Sequence, residues 1–135
     1  MTRARILLAD DYREMRETVE RLLESEFDIV GAVAGGEELL KAESETHPDV
    51  CVLDISMPRV SGIDAANRLR DQGSRTRIIF LTVHEDPDFL QAALDTGARG
   101  YVLKSRIVSD LSKAIRSVLD GELFISPSLT LGTDK

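Results

Sequence analysis

Five short, mostly apolar runs alternate with five segments of helical periodicity, and that alternation restricts the fold more than any other feature of the chain. The runs are Ile6-Leu7-Leu8, Phe27 to Val33, Val50 to about Ile55, Arg77 to Leu81 and Gly100 to Leu103. Strands that are apolar throughout, with no polar alternation, belong to sheets covered on both faces. The intervening segments repeat apolar residues at steps of three and four: Met15, Val19, Leu22 and Leu23; Ile63, Ala66 and Leu69; Leu90, Ala93 and Leu94 behind Pro87; Leu111, Ala114, Ile115, Val118 and Leu119. A shorter helix over Glu37 to Glu45 carries Leu39 and Leu40. Gly35-Gly36, His47-Pro48-Asp49, Gly73, Gly97 and Gly121 punctuate the pattern. Parallel neighbours need helical crossovers, so the sequence predicts an α/β fold built on a parallel sheet.

At 135 residues the chain reads as one domain, large enough to bury a core without a disulfide or structural metal. Its one cysteine, Cys51, lies in an apolar run, which fits a reducing cytosol. No segment approaches the roughly 20 apolar residues of a membrane span. Met1 to Arg5 leads straight into a strand without the apolar region of a secretory signal. The expectation is a cytoplasmic protein with no membrane partner. A net charge of −7 and the lack of tryptophan argue against direct nucleic-acid binding by this segment.

Polar residues stand just past four of the runs. Asp10 and Asp11 follow the first, Asp54 lies at the end of the third, Thr82 follows the fourth and Lys104 the fifth. In an open parallel sheet these ends face one edge, where ligands bind. Three carboxylates in one place repel one another unless one is protonated or a cation is shared. Mg²⁺ suits such a set, since it takes oxygen ligands and retains water. A carboxylate beside Mg²⁺ can attack phosphorus to give an aspartyl phosphate, with a hydroxyl and an ammonium neutralising the equatorial oxygens. Individually these residues have plainer uses. Asp11 precedes a helix and is a fair N-cap, Thr82 is a β-branched strand residue and Lys104 a solvated strand end.

The segments Ile6-Leu7-Leu8-Ala9-Asp10-Asp11, Val52-Leu53-Asp54-Ile55-Ser56-Met57-Pro58-Arg59-Val60-Ser61-Gly62, Phe80-Leu81-Thr82 and Gly100-Tyr101-Val102-Leu103-Lys104 resemble the receiver domains of two-component response regulators. The likeness covers about residues 4 to 121. Ala98 to Lys104, Ala114-Ile115-Arg116 and Gly121 to Pro127 are similar to the NarL/FixJ branch, whose members continue into a LuxR-type helix-turn-helix. The resemblance implies a flavodoxin-like (βα)5 fold with a five-stranded parallel sheet in the order 2-1-3-4-5 and helices on both faces. Residues 1–121 would form the receiver domain, and 122–135 a tail or the start of a linker to an output domain that binds DNA.

It also implies roles. Asp54 would accept a phosphoryl group from a sensor histidine kinase. Asp11, Asp10, Asp54 and the backbone carbonyl of Ser56 would hold Mg²⁺ (or Mn²⁺). Thr82 and Lys104 would bind phosphoryl oxygens, and Tyr101 would be the switch aromatic that follows Thr82. Ser56 and His84 would flank the site and tune water's access to the aspartyl phosphate. A second copy would dock through the face of the fourth helix, fifth strand and fifth helix, or through the first and fifth helices. Many receivers carry a cis proline after the lysine, whereas Ser105 follows Lys104 here. A cis bond before a non-proline residue costs about 2.5–4 kcal/mol, so the geometry of that bond stays open.

Two rivals remain at this level. An aspartate-nucleophile phosphohydrolase of the haloacid dehalogenase type shares Asp, Lys and Mg²⁺, but carries a second acid two residues after its nucleophile, where this chain has Ser56. A phosphate-independent interaction module would not need the full set of site residues.

Overall fold

The computed structural model describes residues 3–127. Along the chain come β1 (Arg5–Ala9), α1 (Arg13–Leu23), β2 (Asp28–Val33), α2 (Gly36–Thr46), β3 (Val50–Asp54), α3 (Gly62–Asp71), β4 (Arg77–Thr82), α4 (Pro87–Asp95) and β5 (Gly100–Leu103). A single 3-10 turn (Lys104–Arg106), α5 (Ile107–Leu119) and β6 (Phe124–Ile125) complete it. The sheet runs β2-β1-β3-β4-β5-β6, with every pair parallel. This is the expected order with one strand added at the β5 edge.

Successive strand side chains point to opposite faces, which explains why the central runs are apolar at every position. Leu7, Cys51, Leu53, Phe80 and Tyr101 pack beneath Leu39, Leu69 and Leu90 on the α2-α3-α4 face. Ile6, Leu8, Val52, Ile79 and Val102 pack beneath Val19, Leu23, Leu111 and Ile115 on the α1-α5 face. Burying a Leu or Ile side chain contributes about 1.5–3 kcal/mol, so slipping one central strand by a residue would exchange its two buried sets.

Local signals set the helix ends. Ser61 caps α3, its hydroxyl accepting from the Asp64 N–H at 3.1 Å. Asp86 caps α4 ahead of Pro87, accepting from the Asp88 N–H at 2.8 Å. Gly121 closes α5 with φ +82°, a conformation that glycine enters without a Cβ penalty. The described peptide bonds are all trans, Lys104–Ser105 included.

The added strand lies past Gly121, where a tail or linker was expected. Phe124 pairs with Gly100 and Ile125 with Tyr101, and the Ser126 N–H donates to the Tyr101 carbonyl at 3.0 Å. Ser126 is fully buried. The rest of that expected tail, residues 128–135, lies outside the described residues. Among the described residues no helix is long and apolar enough to cross a membrane.

Candidate functional site

Register brings the polar strand ends together. Ala9 pairs with Leu53, Asp54 with Leu81 and Thr82 with Leu103, so Asp10, Asp54, Thr82 and Lys104 share one edge of the sheet. Asp10, Asp54 and Thr82 are buried, Asp11 is exposed, and the Lys104 side chain is only 15% exposed. Carboxylate oxygens of Asp10, Asp11 and Asp54 lie within 4.8 Å of one another. The Lys104 ammonium sits between two of these carboxylates, with Nζ 3.0 Å from Asp10 Oδ2 and 3.3 Å from Asp54 Oδ2.

Tyr12, not Asp11, occupies the N-cap position of α1, and it makes no side-chain capping bond. Lys104 is a paired, largely enclosed ammonium and not a solvated end. Thr82 ends β4, and its Oγ1 accepts from the His84 N–H at 2.9 Å. All the expected side chains of the acidic site except the solvent-facing Asp11 are thus enclosed at one place.

Pairing there is incomplete. Asp10 Oδ1 accepts from the Tyr12 N–H at 2.9 Å, but buried Asp10 Oδ2 has no hydrogen-bond partner. Lys104 reaches that atom by charge without hydrogen-bond alignment. Asp54 Oδ1 accepts from the Ser56 N–H at 3.2 Å. Burial and the neighbouring Asp10 push the Asp54 carboxyl up to about 6, against the opposing pull of Lys104 and the Ser56 N–H. Burial works against the Lys104 charge, yet its contacts with Asp10 and Asp54 outweigh that and raise its pKa. An acidic pocket with an unsatisfied buried oxygen has room, in charge and in hydrogen bonding, for a further cation.

The walls are built by Gly62 and Phe89 together with the expected flanking residues Ser56 and His84 and the expected switch aromatic Tyr101. A Cβ on Gly62 would lie 2.2 Å from the Asp54 carbonyl oxygen, so only glycine lets the β3-α3 loop close against Asp54. His84 is not a free loop residue. Its Nε2 lies 3.2 Å from Ser56 Oγ, and its ring stacks on Phe89 at 4.0 Å between centroids. Tyr101 is fully buried, and its hydroxyl donates to the His84 carbonyl at 3.2 Å. The spacing of Asp54, Gly62 and Thr82 carried part of this signal, but the stacking of His84 on Phe89, five residues further on, shows no pattern in the sequence. A groove of about 610 Å³ at the opposite end of the sheet is lined by Glu43 and Asp49 together with Arg75 and Arg77. Its mixed charges converge on no reacting atom.

The fold and this edge agree with what comparison finds. The family model described as the response regulator receiver domain matches residues 6–116. An uncharacterised transcriptional regulatory protein of Bacillus subtilis (strain 168), YvfU, is 38% identical over 93% of this chain and 64% of its own length. The nitrate/nitrite response regulator protein NarL of Escherichia coli (strain K12) is 34% identical over 94% of the chain and 60% of its own length. Among solved structures, a two-component response regulator of the LuxR family from Aurantimonas sp. SI85-9A1 superposes with a TM-score of 0.90 at 35% identity, covering 95% of this chain and 93% of that one. The isolated receiver domain of RcsB from Salmonella enterica serovar Typhimurium, solved in the presence of phosphomimetic BeF3⁻, gives 0.86 at 26% identity, covering 95% and 96%.

With its parallel sheet, enclosed acidic edge and central lysine, the chain belongs to the response regulator receiver domain family. Its relatives are transcriptional regulators of the NarL, DegU and LuxR groups. The chain spans less than two-thirds of the length of YvfU and NarL.

Proposed function

We propose that Asp54 accepts a phosphoryl group and that the chain works as a phosphorylation-dependent switch controlling transcription through a further, DNA-binding part of its protein. The observation that carries this reading is the buried Asp54 carboxylate, which shares the Lys104 ammonium with Asp10, whose Oδ2 lacks a hydrogen bond. An Asp54 oxygen attacks phosphorus and forms a C–O–P linkage. The bond from phosphorus to the donor breaks, and its electron pair leaves with the donor, a kinase histidine or a small acyl phosphate.

Asp11, Asp10, Asp54 and the Ser56 carbonyl would hold Mg²⁺ (or Mn²⁺), which when bound neutralises charge on the phosphoryl oxygens. Lys104 exchanges part of its hold on Asp54 for a phosphoryl oxygen, and the Thr82 hydroxyl donates to another. Thr82 is tied to the His84 N–H, and Tyr101 to the His84 carbonyl. A shift of Thr82 therefore reaches Tyr101 through a single residue. That supports Tyr101 as the aromatic that reports phosphorylation to the α4-β5-α5 face, one of two candidate docking faces for a second copy; α1 with α5 is the other. The donor would be a sensor histidine kinase in the cytoplasm, and catalysis beyond phosphoryl uptake and loss is not part of this reading.

Incubation with acetyl phosphate and Mg²⁺ should add the mass of one phosphoryl group to the chain. Asp54→Asn should abolish the addition and Asp49→Ala should leave it intact. Steady multiple turnover of a small phosphate ester, lost in Asp54→Asn, would instead indicate a phosphohydrolase. Absence of labelling from both acetyl phosphate and a cognate kinase would leave an interaction module.

A further inference from the structure

A second buried carboxylate, Asp110 on α5, lies outside the acidic site but is bonded to the turn that carries Lys104. Asp110 is 2% exposed. Arg106 grips it with Nε at 2.8 Å from Oδ2 and an Nη at 3.3 Å from Oδ1. Ser109 Oγ donates to Oδ1 at 3.1 Å, and Ser126 Oγ donates to Oδ2 at 2.9 Å. The Ser126 hydroxyl also accepts the Leu103 N–H at 3.1 Å. Leu103 and Arg106 bracket Lys104, so a single carboxylate pins the 3-10 turn at both ends, directly through Arg106 and by way of Ser126 at Leu103. Ser126 gains its place from β6, whose pairing with β5 is extended by the Ser126 N–H bond to the Tyr101 carbonyl.

This arrangement goes beyond what helix packing requires. An apolar residue at position 110 would fill the same buried volume, and a buried carboxylate is retained at a desolvation cost. The bonds end on the backbone immediately before Lys104 and on the residue two after it. They restrict the backbone from which the ammonium reaches Asp10 Oδ2 and Asp54 Oδ2. Electrostatic stabilisation of a phosphoryl group depends on such a charge being held in place beforehand.

We propose that Asp110 and Ser126 are positioning residues for Lys104, holding its ammonium at the phosphoryl-accepting edge. The inference rests on the reading of Asp54 as acceptor. A misplaced ammonium weakens charge neutralisation during transfer more than it weakens encounter with the donor, so the maximal rate carries the effect.

The test follows labelling of the 135-residue chain by acetyl phosphate with Mg²⁺, by intact mass, across acetyl phosphate concentrations. Ser126→Ala and Arg106→Gln should each lower the maximal rate about five-fold, the loss of roughly one hydrogen bond's contribution. The half-saturating concentration should hardly change, and Ser126→Thr, which keeps the hydroxyl, should restore most of the rate. Val118→Ala, a core change in the same helix, should lower the melting temperature yet label at the wild-type rate. Should Ser126→Ala not fold, Arg106→Gln decides alone, because its side chain is 41% exposed and tolerates exchange. Wild-type rates in both variants, or an equal slowing in Val118→Ala, would overturn the positioning role alone. A wild-type chain that takes up no phosphoryl group would overturn the acceptor reading and this inference together.

Discussion

Asp54 and Asp110 are both buried carboxylates within reach of a cation, yet their surroundings act in opposite directions. Asp54 has one backbone donor, shares Lys104 with Asp10 and faces that second carboxylate. Its proton is held more tightly than in water, up to about 6. Burial also works against the Asp110 charge, but the Arg106 fork and the Ser126 and Ser109 hydroxyls outweigh it and hold the carboxyl below its ordinary 3.8. Both side chains are shielded from solvent, and they differ in how fully their oxygens are paired. An under-paired carboxylate keeps a lone pair and a charge deficit available for chemistry, whereas a fully paired one is committed to holding structure.

The largest predicted effect is on the paired member. Asp110→Ala strands the Ser126 hydroxyl and frees the Arg106 guanidinium, and should cost about 2–4 kcal/mol of stability in urea titration. Its pH dependence has a definite sign. A depressed folded pKa contributes stability that is present above 3.8 and lost as pH falls through the lower folded value, so the wild-type advantage over the variant should shrink in acid.

Asp54→Asn should do the reverse, stabilising the chain by about 1–3 kcal/mol at neutral pH. Folded Asp54 holds its proton up to about 6 and the unfolded residue only to 3.8. Wild-type stability therefore falls as pH rises through that window, and the two chains should converge near its acid end. Mg²⁺ should raise the melting temperature of the wild type and much less that of Asp54→Asn. Smallest of all, Arg13→Ala should change stability by less than about 0.5 kcal/mol, because its pair with Glu17 is exposed. A large loss there would mean that surface pairing, and not burial, sets the energetics.

Much of this was legible from residue order. Gly100–Leu103 is a strand as read, and α3, α4 and α5 carry the expected inward residues because both faces of the sheet demand a cover. The acidic edge followed from strand-end placement once the sheet was parallel. β6 was not legible, since Phe124–Ile125 is too short to show a period and is held by bonds to the β5 backbone. Nor was the Asp110 network, although a trace was present. Asp110 stands next to Leu111 and three residues after Ile107 on the buried face of α5. A carboxylate there signals partners, and Arg106 and Ser109 lie near it in the sequence, but only the fold adds Ser126. His84 was expected only to flank the site, and its contacts with Ser56 in the β3-α3 connection and Phe89 on α4 follow from no spacing in the sequence.

The central claim is that Asp54 is kept available for chemistry while Asp110 is consumed in pairing. Carbonyl-carbon NMR titration of both side chains in one metal-free sample tests it most directly. The account predicts that Asp54 titrates near 6 and Asp110 below 3.8, with Mg²⁺ shifting Asp54 alone to lower pH. Asp54 titrating at or below Asp110, or an Asp54 midpoint indifferent to Mg²⁺, would contradict it.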